Sequence, residues 1–322
     1  MKVLLVRADG IGDALTCAPL VAALRDAGHA VGAVLSTKNN AIYARRTFTA
    51  VHVLERIPWP RHGSTPESRK AALAEVRSQR YDIALVASEE MDAYTFARDA
   101  AIPRRIGYVN GWEKPFKTLR ARALLSTALL RTASAHRVRE HEAETMFRLG
   151  APLSPERAPT RDPSRLRPLL LDLPARAHGN VVLQISRKLE PAGLDIGVYV
   201  ALARELIERG LGVVGVGEDP GAVARVAQAS GAGHRAGLDV RAWKAFIGGA
   251  RAVVTPDSGA AHVAGMLGVP CVDCFAPSAT TARDVLRWHP WAGTYRAHVL
   301  DPSRERAAAA AAIVRELFEI VA

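Results

Sequence analysis

The stretch RAVVTPDSGAAHVAGMLGVPCVDCFAP, residues 251–277, decides how the chain is read. Ala252–Thr255 is a short apolar run that reads as a buried strand. Ala260–Leu267 reads as a helix, and Val269–Phe275 as a second strand. The polar residues between them stand where the carboxyl end of a strand meets a helix amino terminus. Open α/β sheets bind ligands at that place, and unpaired helix N–H groups attract anions. Asp257 suits hydrogen bonds from sugar hydroxyls, and Gly259 lets a ligand approach the backbone closely. Ser258 and Ala260 frame the same turn. His262, one turn into the helix, is placed to donate to a phosphate oxygen. The same residues also suit an N-capped helix with a half-buried histidine, and this stretch alone does not separate the two readings.

The pattern spreads outward from there. Strand signals at Val3–Val6, Ala30–Leu35, Ile83–Ala87 and Arg104–Tyr108 alternate with helix signals at Ala14–Ala27 and Pro66–Arg80. Residues Lys117 to Leu149 read as mostly helical. Six prolines between Gly150 and Asn180 resist regular structure and mark a connection between domains. Alternation then restarts: strands at Val181–Ile185 and Gly212–Val216, helices at Val198–Arg209, Val223–Ser230 and Val240–Gly248. Ser303–Val321, with its alanine run, reads as a final helix. Two successive β-α series predict an α/β chain of two doubly wound, Rossmann-like domains facing across a cleft. The boundaries are an amino-terminal domain over 1–160, a proline-rich linker over 161–180, a carboxyl-terminal domain over 181–302 and a closing helix over 303–322.

Composition narrows the function classes. Hydrophobic residues make up 49% and charged residues 23% of 322 residues, which is ordinary for a soluble globular protein. No apolar run nears the roughly 20 residues that span a bilayer, and Arg7 and Asp9 interrupt the opening run too early for a secretory signal. The expected location is the cytoplasm. The formal net charge of +11 is uneven: +8 falls in residues 1–150, and ten Lys/Arg lie between Arg98 and Arg139 against Asp99 and Glu113. Such a field favours a polyanionic partner or an anionic membrane surface. Aromatics are 6% and no nucleic-acid-binding motif is visible, so nucleic acid is not the expected partner. Cys271 and Cys274 are three apart within one strand and face opposite sides of it, which argues against a disulfide or a zinc site.

The first strand ends in RADGIGDAL, residues 7–15. Gly10 and Gly12 permit a sharp turn into a helix, as in a dinucleotide fingerprint. The third glycine position holds Leu15, and Ser36-Thr37-Lys38 stands where an acidic residue would follow the second strand. Nicotinamide chemistry is therefore not expected. Asp13 at the mouth of the helix has two readings, a helix cap and a general base. A carboxylate so placed is a modest base, which suits a reaction in which the proton leaves late.

The motif D-S-G-x-x-H, followed by a helix, L-G-V-P and an apolar strand, resembles glycosyltransferase family 9, the ADP-heptose:lipopolysaccharide heptosyltransferases. RADGIGDALTCAPLVAALR at the start and HEAETMFRLGAP at residues 141–152 resemble the family's other blocks, in the same order. The resemblance implies the GT-B architecture, with the acceptor on the first domain, the nucleotide sugar on the second and the last helix crossing back to the first. It places Asp13 on the catalytic base, with Gly12 beside it on the acceptor side. Asp257, Ser258, Gly259, Ala260 and His262 fall on the donor-binding turn, and Glu218 on an acidic position that binds the ribose. From the residues alone, Glu218 is also a plain loop carboxylate.

The chain departs from the family in one place. Where the family has Lys-x-Trp-Pro after the first strand of the second domain, this chain reads QISRKLEPAGLDIGVY, with Ala192 at the Lys position and Leu194 at the Trp position. Ser186, Arg187 and Lys188, slightly earlier, are the expected replacements at the donor phosphates. The implied reaction is an inverting, metal-independent transfer of heptose from ADP-heptose, with no cofactor beyond that donor. The acceptor is an anionic lipopolysaccharide precursor met by Lys117, Arg120 and Arg122 of the basic segment. Lys117, Arg120 and Arg131 share a face at helical spacing, and contact with the inner face of the cytoplasmic membrane is expected from the same charge. A family member with another donor or acceptor, a GT-B nucleotide-sugar epimerase and a non-catalytic nucleotide-sugar binder remain as alternatives.

Overall fold

The computed structural model of the protein describes residues 1–57 and 63–321. The chain divides into two units: Met1–Thr160 with Pro168–Asp172, and Arg161–Arg167 with Leu173–Ala322.

In the first unit the elements run β1 (Lys2–Val6), α1 (Ile11–Leu15), α2 (Ala18–Asp26), β2 (Ala30–Ser36), β3 (Val51–Leu54), α3 (Pro66–Gln79), β4 (Ile83–Val86), α4 (Met91–Asp99), β5 (Arg104–Val109), α5 (Pro115–Leu124), β6 (Thr127–Leu130) and α6 (Glu142–Gly150). Among the described residues they form a six-stranded parallel sheet in the order β3-β2-β1-β4-β5-β6. The apolar run Val3–Val6 is buried throughout, because helices cover both faces of a parallel sheet. The strand order reverses between β1 and β4, so the loops leaving those strands part there and leave a crevice.

α7 (Pro163–Leu170) follows. The second unit continues with β7 (Val181–Gln184), α8 (Ile196–Glu208), β8 (Val213–Gly217), α9 (Pro220–Ser230), β9 (Gly233–Ala236), α10 (Val240–Gly248), β10 (Ala252–Pro256), α11 (Gly259–Leu267), β11 (Cys271–Phe275), α12 (Thr281–Trp288), β12 (Tyr295–Val299) and α13 (Arg306–Val321). Its sheet is again parallel, in the order β12-β11-β10-β7-β8-β9, and its reversal lies between β7 and β10. α11 stops at Gly268, whose φ of +72° is a left-handed conformation that glycine adopts at little cost. α13 buries Ile313, Val314 and Leu317 in the core of this second unit, packed on α8.

Several expectations need correction. The helix expected over Ala14–Ala27 is two, broken at Thr16–Cys17, because Pro19 lacks an N–H and suits the first turn of a new helix. The helical reading of Lys117 to Leu149 fails at Thr127–Leu130, which pairs with β5 as the sheet edge; tertiary pairing overrides the helix propensity of its alanine and leucines. The linker expected to resist regular structure contains α7. Pro163 sits in its first turn, and Asp162 accepts the Ser164 N–H at 2.8 Å in the manner of a cap. Among the described residues no helix is long and apolar enough to cross a membrane.

Candidate active site

The loop leaving β1 is organised by a cation. Arg7 ends the apolar strand and is 2% exposed, so its guanidinium must find acceptors inside. It donates to the carbonyls of Ala87 and Asp13 and, through Nη2, to Asp13 Oδ1 at 2.8 Å. Its Nε lies 3.4 Å from Asp9 Oδ2. Burial pushes the Asp9 carboxyl above its ordinary range despite the attraction of Arg7, and Ser88 donates to it at 2.9 Å. Asn39 ties the loop from the next strand by donating to the carbonyls of Arg7 and Asp9.

Asp13 is the third residue of α1, while Gly10 holds the cap position. Its Oδ2 accepts the Gly10 N–H at 3.3 Å, and its Oδ1 takes Arg7. Asp13 is thus not the cap itself but bonds back to it from the third position. Each oxygen spends one lone pair on the protein and keeps capacity to accept another hydrogen bond. Gly12 lies within the same turn, where its carbonyl accepts the Thr16 N–H. Sequence reasoning did not assign Arg7 a role. Its signal was a long cation directly after an all-apolar strand, two and six residues from acids.

In the second unit, the residues expected at the donor come from the carboxyl ends of neighbouring strands, at the point of reversal. Ser186, Arg187 and Lys188 follow β7, Glu218 follows β8, and Asp257 and Ser258 follow β10. Ser258 Oγ caps α11 by accepting from Ala260 N and lies 3.0 Å from Thr255 Oγ1. The amides of Ser258 and Gly259 have no backbone acceptor among the described residues. They are thus available to an anion, reinforced by the helix dipole. Lys188 Nζ reaches this turn, bonding the Asp257 carbonyl and lying 3.2 Å from Asp257 Oδ2. A positive charge thus stands beside the α11 amino terminus. Ser186 Oγ accepts the Lys188 N–H at 3.2 Å and shapes the loop. Arg187 instead pairs with Glu190 at 2.8 Å. Glu218 is exposed just past Gly217, where a Cβ would run into the carbonyl of Ile185.

Two expected contacts change. His262 was read as a phosphate donor or as a half-buried residue of a capped helix; it is 3% exposed, its ring edge-on to Trp288 at 6.5 Å. In the basic segment, Lys117 and Arg131 turn inward to Glu89, at 3.3 and 2.5 Å, and Arg131 also meets buried Glu142. Burial alone would raise the Glu89 carboxyl, yet Arg131 and Lys117 hold it below the ordinary range. Of the three cations expected on one face, Arg120 alone is exposed, with exposed Arg122 nearby on the same helix. The cysteines are free and buried, with Cys274 in the core beneath α8 and α13. Among the described residues no cluster of three or more His, Cys, Asp or Glu is arranged to hold a metal ion.

Comparison with known proteins gives the family. Residues 69–308 match the model of glycosyltransferase family 9 (heptosyltransferase). The chain belongs to glycosyltransferase family 9. The structure of E. coli heptosyltransferase WaaC with ADP matches with a TM-score of 0.78 at 17% identity, covering 100% of both chains. E. coli ADP-heptose lipopolysaccharide heptosyltransferase II matches with a TM-score of 0.71 at 18% identity, again over 100% of both. A family 9 glycosyl transferase from Veillonella parvula matches at 0.74 and 13%, over 99% of this chain and 97% of that one. No curated protein matches the chain by sequence. The fold of this family 9 enzyme is thus the two-sheet GT-B fold of those heptosyltransferases. The matched residues contain the whole Asp257 turn and Lys188. Asp13 lies ahead of them, so its assignment stands on the opening motif and the local geometry of the β1 turn.

Proposed function

We propose that this glycosyltransferase moves a heptose from ADP-heptose to a hydroxyl of an anionic lipopolysaccharide core precursor, with inversion and without a metal, in the cytoplasm at the inner membrane face. The observation that carries the reading is the α11 turn. Unpartnered amides at Ser258 and Gly259 and the Lys188 ammonium converge on one place at the sheet's reversal. That is a site for the diphosphate of a leaving nucleotide. The likeness to heptosyltransferase structures holding ADP and ADP-2-deoxy-2-fluoro heptose supports this choice of donor.

In this reading the acceptor oxygen attacks the anomeric carbon from the face opposite the nucleotide. The new carbon–oxygen bond forms as the bond to the diphosphate breaks. Asp13 takes the hydroxyl proton, and ADP leaves with the bonding pair. Arg7 holds the Asp13 carboxylate in place. Lys188 and the α11 amides, with Ser186, Ala260 and Arg187 around them, take up the charge that grows on the leaving phosphate. Asp257 binds sugar hydroxyls and Glu218 the ribose. His262, being buried, supports the turn from inside. Arg120 and Arg122, with Gly12 nearer the base, meet the acceptor, and Lys117 contributes through its pair with Glu89.

The altered donor loop, with Ala192 at the family's Lys position, favours a second reading in which the donor is another nucleotide sugar. Thermal unfolding with ADP-heptose, UDP-sugars and GDP-sugars separates the two, because a ligand that binds the folded state raises the midpoint by mass action. Stabilisation by ADP-heptose, and turnover that survives EDTA, are expected. Stabilisation by a different nucleotide sugar alone, or loss of turnover in EDTA, would replace the donor or the metal-free mechanism. Stabilisation without turnover on any acceptor would leave a binder.

A further inference from the structure

The first unit carries an apolar patch that the proposed chemistry does not use. Trp112, Phe116, Leu119 and Leu130 are 95%, 84%, 72% and 73% exposed. They line one open groove of about 860 Å³. Its construction is local. Gly111, at a φ of +58°, starts the short 3-10 turn that carries Trp112 outward. Phe116 and Leu119 stand three apart on α5, whose opposite side buries Ala121 and Leu124. Leu130 ends the edge strand β6. The water-facing side of α5 thus carries its largest apolar side chains, the reverse of an ordinary surface helix. Contiguous exposed apolar surface of this kind marks an interaction site.

The rim is mostly cationic: exposed Arg122 and Arg137 line the groove, exposed Lys114 and Arg120 flank it along the chain, and the one carboxylate in the lining, Glu113, pairs with Arg137 at 3.4 Å. Arg120 and Arg122 form no ion pair among the described residues, and Lys114 is 3.9 Å from its nearest carboxylate. An aromatic wedge inside a ring of Lys and Arg matches the layered chemistry of a lipid interface, where Trp and Phe settle between headgroups and acyl chains. We infer that this face is a docking surface for an anionic phospholipid bilayer. Trp112, Phe116 and Leu119 enter the headgroup–acyl boundary, and Lys114 and Arg137 meet lipid phosphates, beside the Arg120 and Arg122 that take the acceptor in the proposed function. A second copy of the chain fits less well. It would press two like-charged rims together.

This deepens the proposed function, since it rests on an amphiphilic acceptor for its purpose, but its test needs neither donor nor acceptor. The full chain is sedimented with vesicles of phosphatidylcholine alone and of phosphatidylcholine with phosphatidylglycerol. Expected are partition to the mixed vesicles, weakening with salt, and a blue shift of tryptophan emission. Trp112→Ser with Phe116→Ser should lower the partition by about tenfold or more, with the unfolding midpoint unchanged. Trp112→Phe should keep the partition and lose most of the blue shift. Transfer of sugar to an acyl-free acceptor fragment should be unchanged in the double variant. The inference is overturned by absence of partition, by partition indifferent to the double variant, or by a dimer in solution that the double variant dissolves. Loss of transfer to the acyl-free fragment would also overturn it, since the residues would then belong to the transfer site. Failure of the wild type to transfer any sugar, with vesicle binding intact, would remove the proposed function and leave the docking surface standing.

Discussion

Two strand-to-helix turns of the same topology carry the candidate chemistry, and they are built in opposite ways. After β1, charge comes from below: buried Arg7 binds Asp13, lies beside Asp9 and fixes the loop before any ligand arrives. After β10, the backbone supplies the anion site, Ser258 closes one amide, and an exposed lysine reaches over from the adjacent strand. The first turn presents an acid and spends stability-bearing contacts to hold it. The second presents N–H groups and a cation that the fold itself hardly needs. The comparison teaches that a group held through buried partners couples function to folding, whereas one held through exposed partners leaves them separable.

Variants can break that contrast. The largest effect is expected from Asp13→Asn, which removes the base and keeps the shape. Turnover should fall by roughly 10²–10⁴ with the fold intact, and near-normal turnover would take the role from Asp13. Arg7→Met should next cost about 3 kcal/mol of stability, since it leaves Asp9 and Asp13 without their buried partner. Equilibrium unfolding in urea measures this, and a loss below ~1 kcal/mol would show that Asp13 is held by its turn alone. Lys188→Ala should do the reverse. Its pair with Asp257 is largely exposed, so stability should change by less than ~1 kcal/mol. Affinity for the nucleotide sugar should still drop about tenfold by calorimetry. A stability loss with unchanged affinity would turn the lysine into a structural brace.

The smallest effect concerns Asp273, under the second turn. It is fully buried, and neither oxygen has a hydrogen-bond partner among the described residues. Burial, and then the nearby Asp257, push its carboxyl well above the ordinary range. A carboxyl raised in the folded state stabilises fully below the ordinary carboxylate range. That contribution is lost as pH rises toward the folded value, at most about 1.4 kcal/mol for each pH unit. Asp273→Asn should remove this decline, so the two unfolding midpoints should diverge in the variant's favour as pH rises from acid toward neutral. Parallel midpoint-versus-pH curves for the two proteins would place the titrating group elsewhere.

Much of this was legible in the residues themselves. Val3–Val6 and Ala252–Val254 are continuous apolar runs, and such runs between helices have few homes other than a parallel sheet. Ser258-Gly259 before an apolar helix is a local signal, because a cap bonds its own next residues. Weaker elements escaped. β9 (Gly233–Ala236) is exposed at every position and carries no alternation, and β6 looked helical until its pairing with β5 was in view.

The sequence by itself determined the two β-α series, the family and the identity of both turns, since all three rest on short-range pattern and order along the chain. Tertiary structure alone decided which charges are available. Arg7 lies against Ala87, eighty residues away, and Lys117 and Arg131 are drawn inward by Glu89, while Trp112 and Phe116 are left in water. Burial and pairing are properties of neighbours in space, and the free energy of a charge or an apolar ring depends on those neighbours rather than on its place in the chain.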